Sequence, residues 1–71
     1  MSDYTEELEK RFTYHPPTGN QANRYAFTRE DAKKLAEAIV KRCPDSRERA
    51  LALTKLEECV MWANAAIARN E

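Results

Sequence analysis

One proline, followed at once by two residues that favour helix starts, divides this chain of 71 residues more sharply than any other feature. Pro44 ends a helix that reaches it, because its ring blocks continuation and it donates no backbone hydrogen bond. Asp45 and Ser46 behind it are both N-cap types, and Asp45 with Glu48 has the spacing of a capping box. Before the proline, Tyr25, Ala32, Leu35, Ala36, Ile39 and Cys43 fall on one helical face, with Asn20 as the expected N-cap and Thr28 and Arg29 bordering or interrupting it. After it, residues 47–70 contain no proline or glycine, and Leu53, Leu56, Val60, Ala63 and Ile67 form a seam at alternating steps of three and four. Two long helices joined by so short a connection pack side by side as an antiparallel hairpin.

The chain ahead of the hairpin is shorter and less regular. Residues 3–12 read as a helical arm, with Leu8 and Phe12 making one apolar edge. Residues 13–20 hold two prolines and the only glycine, so they form a connector, and Tyr14 and His15 are held extended ahead of Pro16. The expected architecture is all-α: one helical hairpin domain over 1–71, with an arm at 3–12, a connector at 13–20 and long helices at 21–42 and 46–70. Leu51, Met61 and Trp62 exceed what the single inward stripe of a two-helix hairpin can hide. Four alanines in Trp62-Ala63-Asn64-Ala65-Ala66-Ile67-Ala68-Arg69 leave room for another helix to approach closely. Both features predict a homo-oligomer; the competing arrangement is a three-helix monomer whose arm covers the surplus.

Composition narrows the function classes. Twelve basic and twelve acidic residues balance, which gives no general reason to bind DNA, RNA or an anionic membrane, so any anion site has to be local. No 18-residue apolar stretch exists, and Met1-Ser2-Asp3-Tyr4-Thr5-Glu6-Glu7 lacks the basic and apolar regions of a secretion signal. Cys43 and Cys59 read as reduced thiols serving as small apolar residues, with a disulfide as the lesser alternative. With His15 the only histidine, a structural zinc site and a His-paired nucleophile both lack partners. Glu57 and Glu58 are ordinary helical surface acids. Neither a catalytic group nor a cofactor is expected.

Binding groups remain. Phe12, Tyr14, Tyr25 and Phe27 cluster in sequence around the connector, with Arg11, Arg24, Arg29 and Lys33 among them. Aromatic faces beside guanidinium groups suit a nucleotide, since rings stack on bases and arginine forks onto phosphate. The same aromatics would equally serve to staple the arm to the hairpin. Trp62 and Met61 offer a third possibility, a helical adaptor that anchors a partner protein.

Five blocks taken in order carry a resemblance: Phe12-Thr13-Tyr14-His15-Pro16-Pro17; Arg24-Tyr25 with Arg29; Pro44-Asp45-Ser46-Arg47-Glu48; Leu51 through Glu58; and Trp62 through Arg69. Together they resemble the phage anti-CBASS cyclic-oligonucleotide sponges, whose hairpin also occurs in Thoeris anti-defence sponges. The resemblance extends over about residues 8–70. It implies a small phage protein acting in the host cytoplasm. Assembled as a hexamer, it would bind cyclic di- and trinucleotides without cleaving them. It also implies a base-stacking role for Tyr14 and a phosphate contact for Arg29 in a dinucleotide site, with Phe12 and Lys33 beside them. Arg69, with Thr28, would belong to a separate trinucleotide pocket.

Overall fold

A computed structural model describes residues 4–71. It holds three helices: α1 (Thr5–Phe12), α2 (Gln21–Arg42) and α3 (Arg47–Asn70). The expected arm start at Asp3, and the reading of residues 1–3 as no secretion signal, lie outside the described residues. No strand occurs among the described residues. The two long helices pack on each other along their length, whereas α1 makes no comparable packing with either. Contacts at both ends fix their direction as antiparallel: Gln21 at the start of α2 meets Glu71, and Arg49 at the start of α3 meets the last carbonyls of α2. The chain extends over 50 × 31 × 14 Å, long and thin rather than round.

The turn 43–46 is built as its residue types require, with one change of roles. Ser46 is the N-cap of α3 and its Oγ accepts from the Arg49 amide at 3.1 Å. Its own hydroxyl donates to the Pro44 carbonyl at 2.9 Å. The expected Asp45–Glu48 box is not formed, because Asp45 pairs instead with the Arg49 guanidinium at 3.2 Å. Arg49 then donates to the carbonyls of Val40 and Cys43, at 3.3 and 3.2 Å. These oxygens end α2, where a cation complements the negative helix end.

The other end of α2 also departs from expectation. Asn20 occupies the N-cap position but makes no side-chain cap; its Oδ1 accepts from Arg24 Nε at 3.0 Å. The start is held instead by Gln21, whose Oε1 accepts from the Thr18 amide at 3.0 Å while its own amide donates to the Thr18 carbonyl at 3.0 Å. Thr18-x-x-Gln21 is thus half of a capping box, displaced two residues upstream of the assigned cap. Gly19 between them has φ +55°, the left-handed region that glycine enters without strain.

The seam of α3 is as expected: Leu53, Leu56, Val60, Ala63 and Ile67 are all half-buried. On α2 the stripe runs through Gln21, Tyr25, Thr28, Ala32, Ala36 and Ile39, so Thr28 lies within it. Leu35 and Cys43, expected inside, are exposed. The helical phase that carries Thr28, Ala32 and Ala36 inward turns position 35 about 100° away. Cys43 and Cys59 are free and exposed rather than packed as small apolar side chains.

Among the described residues no hydrophobic side chain is buried, and the one buried residue is Gln21, at 8% exposure. Leu51, Met61 and Trp62 remain 42%, 60% and 62% exposed, so the arm does not cover them. Among the described residues no helix is long and apolar enough to cross a membrane.

Candidate functional site

An open groove of about 510 Å³ forms where three parts of the chain converge. The end of α1 contributes Lys10 and Arg11, the connector contributes Tyr14 and His15, and Arg29 of α2 faces Arg69 of α3. Its size falls within the ~300–1,000 Å³ usual for small-molecule sites. Ala65 and Ala68 line its α3 side.

The connector is shaped by its own residues. Thr13 ends α1 in extended conformation, its amide donating to the Glu9 carbonyl at 3.2 Å and its hydroxyl to Glu9 Oε2 at 2.9 Å. His15 folds back, with Nε2 3.0 Å from the Lys10 carbonyl. A carbonyl only accepts, so Nε2 carries the proton and Nδ1 is the free ring nitrogen. The prolines that follow hold the backbone extended, and Tyr14 is left 80% exposed at the groove mouth.

Charge is the groove's strongest property. Lys10, Arg11, Arg29 and Arg69 line it and no carboxylate does. Arg11 pairs with Glu7 at 3.1 Å, but among the described residues Lys10, Arg29 and Arg69 have no acidic partner. A chain with zero net charge therefore gathers three uncompensated cations in one concavity. Such a cluster suits phosphate chemically, because arginine presents paired donors to its oxygens. Tyr25, half-buried, adds a second aromatic.

The other expected site residues fall elsewhere. Lys33 lines a neighbouring groove of about 630 Å³ floored by Ala32, Ala36, Leu53 and Val60. Arg29 and Asn64 border both grooves. Thr28 is half-buried in the seam and lines neither, and Phe12, 79% exposed, lines neither as well. Within one chain Arg69 shares a groove with Tyr14 and Arg29. Sequence reasoning missed Lys10 and His15 as groove residues. Asn64 also borders the groove, and its Oδ1 is buried with no hydrogen-bond partner. Among the described residues no cluster of His, Cys, Asp or Glu is placed to hold a metal.

The fold and the groove define a class: a small helical hairpin with a cation-lined concavity at the junction of its connector and helix ends. The chain belongs to the Acb2/Tad1 hairpin-domain family, whose sequence model matches residues 5–68. That is the anti-CBASS sponge family expected from the sequence blocks, a family of anti-defence binders rather than enzymes. No curated protein and no solved structure matches the chain.

Proposed function

We propose that this protein is a phage anti-defence sponge. In the host cytoplasm it sequesters cyclic di- and trinucleotide immune signals intact, so that CBASS effectors are not activated. The observation that carries the reading is the groove itself, three unpaired cations and two tyrosines with no carboxylate. A cyclic dinucleotide brings two phosphates and a cyclic trinucleotide three, which this set of cations can balance. In this reading Tyr14 stacks on a base at the mouth, and Arg29 and Arg69 meet phosphate. Family membership supports the same reading. Phe12, Lys33 and Thr28, which lie outside the groove of one chain, would enter a binding site only where copies meet.

The protein acts as a homo-oligomer, a hexamer by the resemblance. The exposed Met61 and Trp62 and the absence of a buried apolar core among the described residues favour assembly. Calorimetry with a panel of cyclic di- and trinucleotides tests the binding: submicromolar capture is expected, and no heat with any member of the panel refutes it. Recovery of unaltered ligand after heat denaturation separates storage from cleavage. Arg69→Ala tests the division into pockets. Loss confined to trinucleotides indicates that assembly separates two sites; equal loss of both classes indicates one shared groove. A second reading, a helical adaptor, draws on the same exposed Trp62 and Met61. It predicts a stoichiometric protein partner and no nucleotide binding.

A further inference from the structure

We propose that Gln21 and Glu71 are positioning residues of the groove: they tie the connector that carries Tyr14 to the end of α3 that carries Arg69. This rests on the binding reading above and adds the residues that hold the site in shape from outside it.

The most enclosed place among the described residues is given to an amide, not to a hydrocarbon. A buried amide is stable only when its polar atoms are engaged. Gln21 engages both: Oε1 accepts from the Thr18 amide at 3.0 Å, and Nε2 donates to Glu71 Oε1 at 3.2 Å. Glu71 also receives the Arg24 guanidinium on both carboxylate oxygens, one of them at 2.9 Å. Arg24 in turn reaches Asn20 Oδ1 at 3.0 Å. The result is an unbroken chain of contacts, Thr18–Gln21–Glu71–Arg24–Asn20, joining segments 50 residues apart in sequence.

None of these five residues lines the groove, yet Thr18 and Arg24 are sequence neighbours of residues that do, and Gln21 and Glu71 lie within a helical turn of such residues. Thr18 follows Pro17, Gln21 lies one helical turn before Tyr25, and Glu71 lies two residues after Arg69. Without the tie these walls are loosely held. Residues 14–18 form no regular structure, and the last turn of a helix frays unless something docks it. The Arg24 hydrogen bond, with the Gln21 bond second, holds the Glu71 carboxyl at about 2, so the tie is fully charged at neutral pH. A site fixed before the ligand arrives avoids the cost of ordering its side chains on binding.

The test uses the full chain in three variants, Gln21→Ala, Glu71→Ala and the swapped pair Arg24→Glu with Glu71→Arg. The probe is whichever cyclic dinucleotide of the calorimetric panel wild type binds most tightly. Each single variant is expected to weaken binding about 3- to 10-fold, the cost of ordering one or two side chains. The swapped pair restores the ion pair but not the Gln21 bond, because arginine cannot accept from Nε2. It should therefore recover part of the Glu71→Ala loss, which a direct ligand contact by Arg24 would not allow. Unchanged affinity in both single variants overturns the proposal. So does an affinity loss matched by a collapse of the thermal midpoint, which would mark an ordinary structural role. Amide hydrogen exchange provides a ligand-free arm: Thr18 and residues 66–70 should exchange faster in Glu71→Ala than in wild type, and equal rates also overturn it. If wild type captures no cyclic nucleotide while exchange does respond, the binding reading has failed and the tie has not.

Discussion

Single side chains divide here into those that touch the ligand space and those that stabilise the fold, and substitution can separate the two. Tyr14 is 80% exposed and makes no core contact, so its ring contributes little to folding. Tyr14→Ala should leave the thermal midpoint unchanged. It should also cost about 1–3 kcal/mol of cyclic dinucleotide affinity, roughly 5- to 150-fold, the usual value of one aromatic–base stack. Calorimetry beside a melting curve checks both halves, and retained affinity would remove the stacking role. Asn64 should behave in the opposite way. Its Oδ1 is buried and unpartnered, a state that costs about 1–3 kcal/mol. Asn64→Leu keeps the side chain's branching and heavy-atom count and removes the orphan, so the midpoint should rise. Because Asn64 borders both grooves beside Arg29, ligand affinity should fall at the same time. A variant that loses stability instead would show that the amide is satisfied in solution.

At the scale of elements, the joints of the hairpin depend on a few polar side chains. Arg49 binds the last carbonyls of α2 and Asp45, so it caps one helix from the first turn of the next. Arg49→Ala should lower stability by about 1 kcal/mol, read as a lower urea midpoint with an unchanged slope. The opposite joint is pH-sensitive, and its sign follows from Glu71. Its carboxyl is lowered from 4.5 to about 2 in the folded chain, chiefly by the Arg24 hydrogen bond, then by Gln21. A group whose folded value is depressed stabilises above its unfolded value. The tie is therefore complete above about 4.5 and is lost as pH falls from there through about 2. Protection factors at residues 66–70, which compare each exchange rate with its intrinsic value at the same pH, should fall across that window in wild type and stay flat in Glu71→Ala. The joints were also where sequence reading reached its limit. Pro44, Ser46 and the seam from Leu53 to Ile67 are local signals, and they made the hairpin and the face of α3 legible. The face of α2 is less so, because alanines on several sides leave its phase open between Leu35 and Thr28. The Gln21–Glu71 bond and the Arg49 cap join segments through tertiary contact, which no local spacing announces. Thr18-x-x-Gln21 was the one readable hint, overshadowed by Asn20 as a more familiar cap.

The whole molecule carries more surface than a chain of its mass should keep as a monomer. A compact protein of 8.2 kDa exposes about 4,500 Å² and has a radius of gyration near ~11 Å. This chain exposes 6015 Å² with a radius of 16.0 Å. The surplus, about 1,500 Å², is close to twice the ~800 Å² that one partner contributes to an interface of standard size. A copy that meets two neighbours would cover that amount, the geometry of a closed assembly rather than of an isolated pair. Met61 and Trp62 are adjacent in sequence and among its most exposed large apolar residues, so they are the natural anchors of such contacts. Sedimentation of wild type should give a mass several times that of one chain, and a mass of 8.2 kDa would refute assembly. Trp62→Glu or Met61→Glu should shift the mass toward the single chain, because a buried unpaired charge is not tolerated at a packed interface. The melting temperature should fall with it and become dependent on protein concentration, since folding without a buried apolar core draws its stability from association. Lys34→Glu, an equal charge change at an exposed position lining neither groove, should alter neither quantity. Ligand capture then distinguishes the two roles of assembly: if dispersed Trp62→Glu chains still bind cyclic dinucleotide with wild-type affinity, the groove of one chain is sufficient, and association serves stability alone.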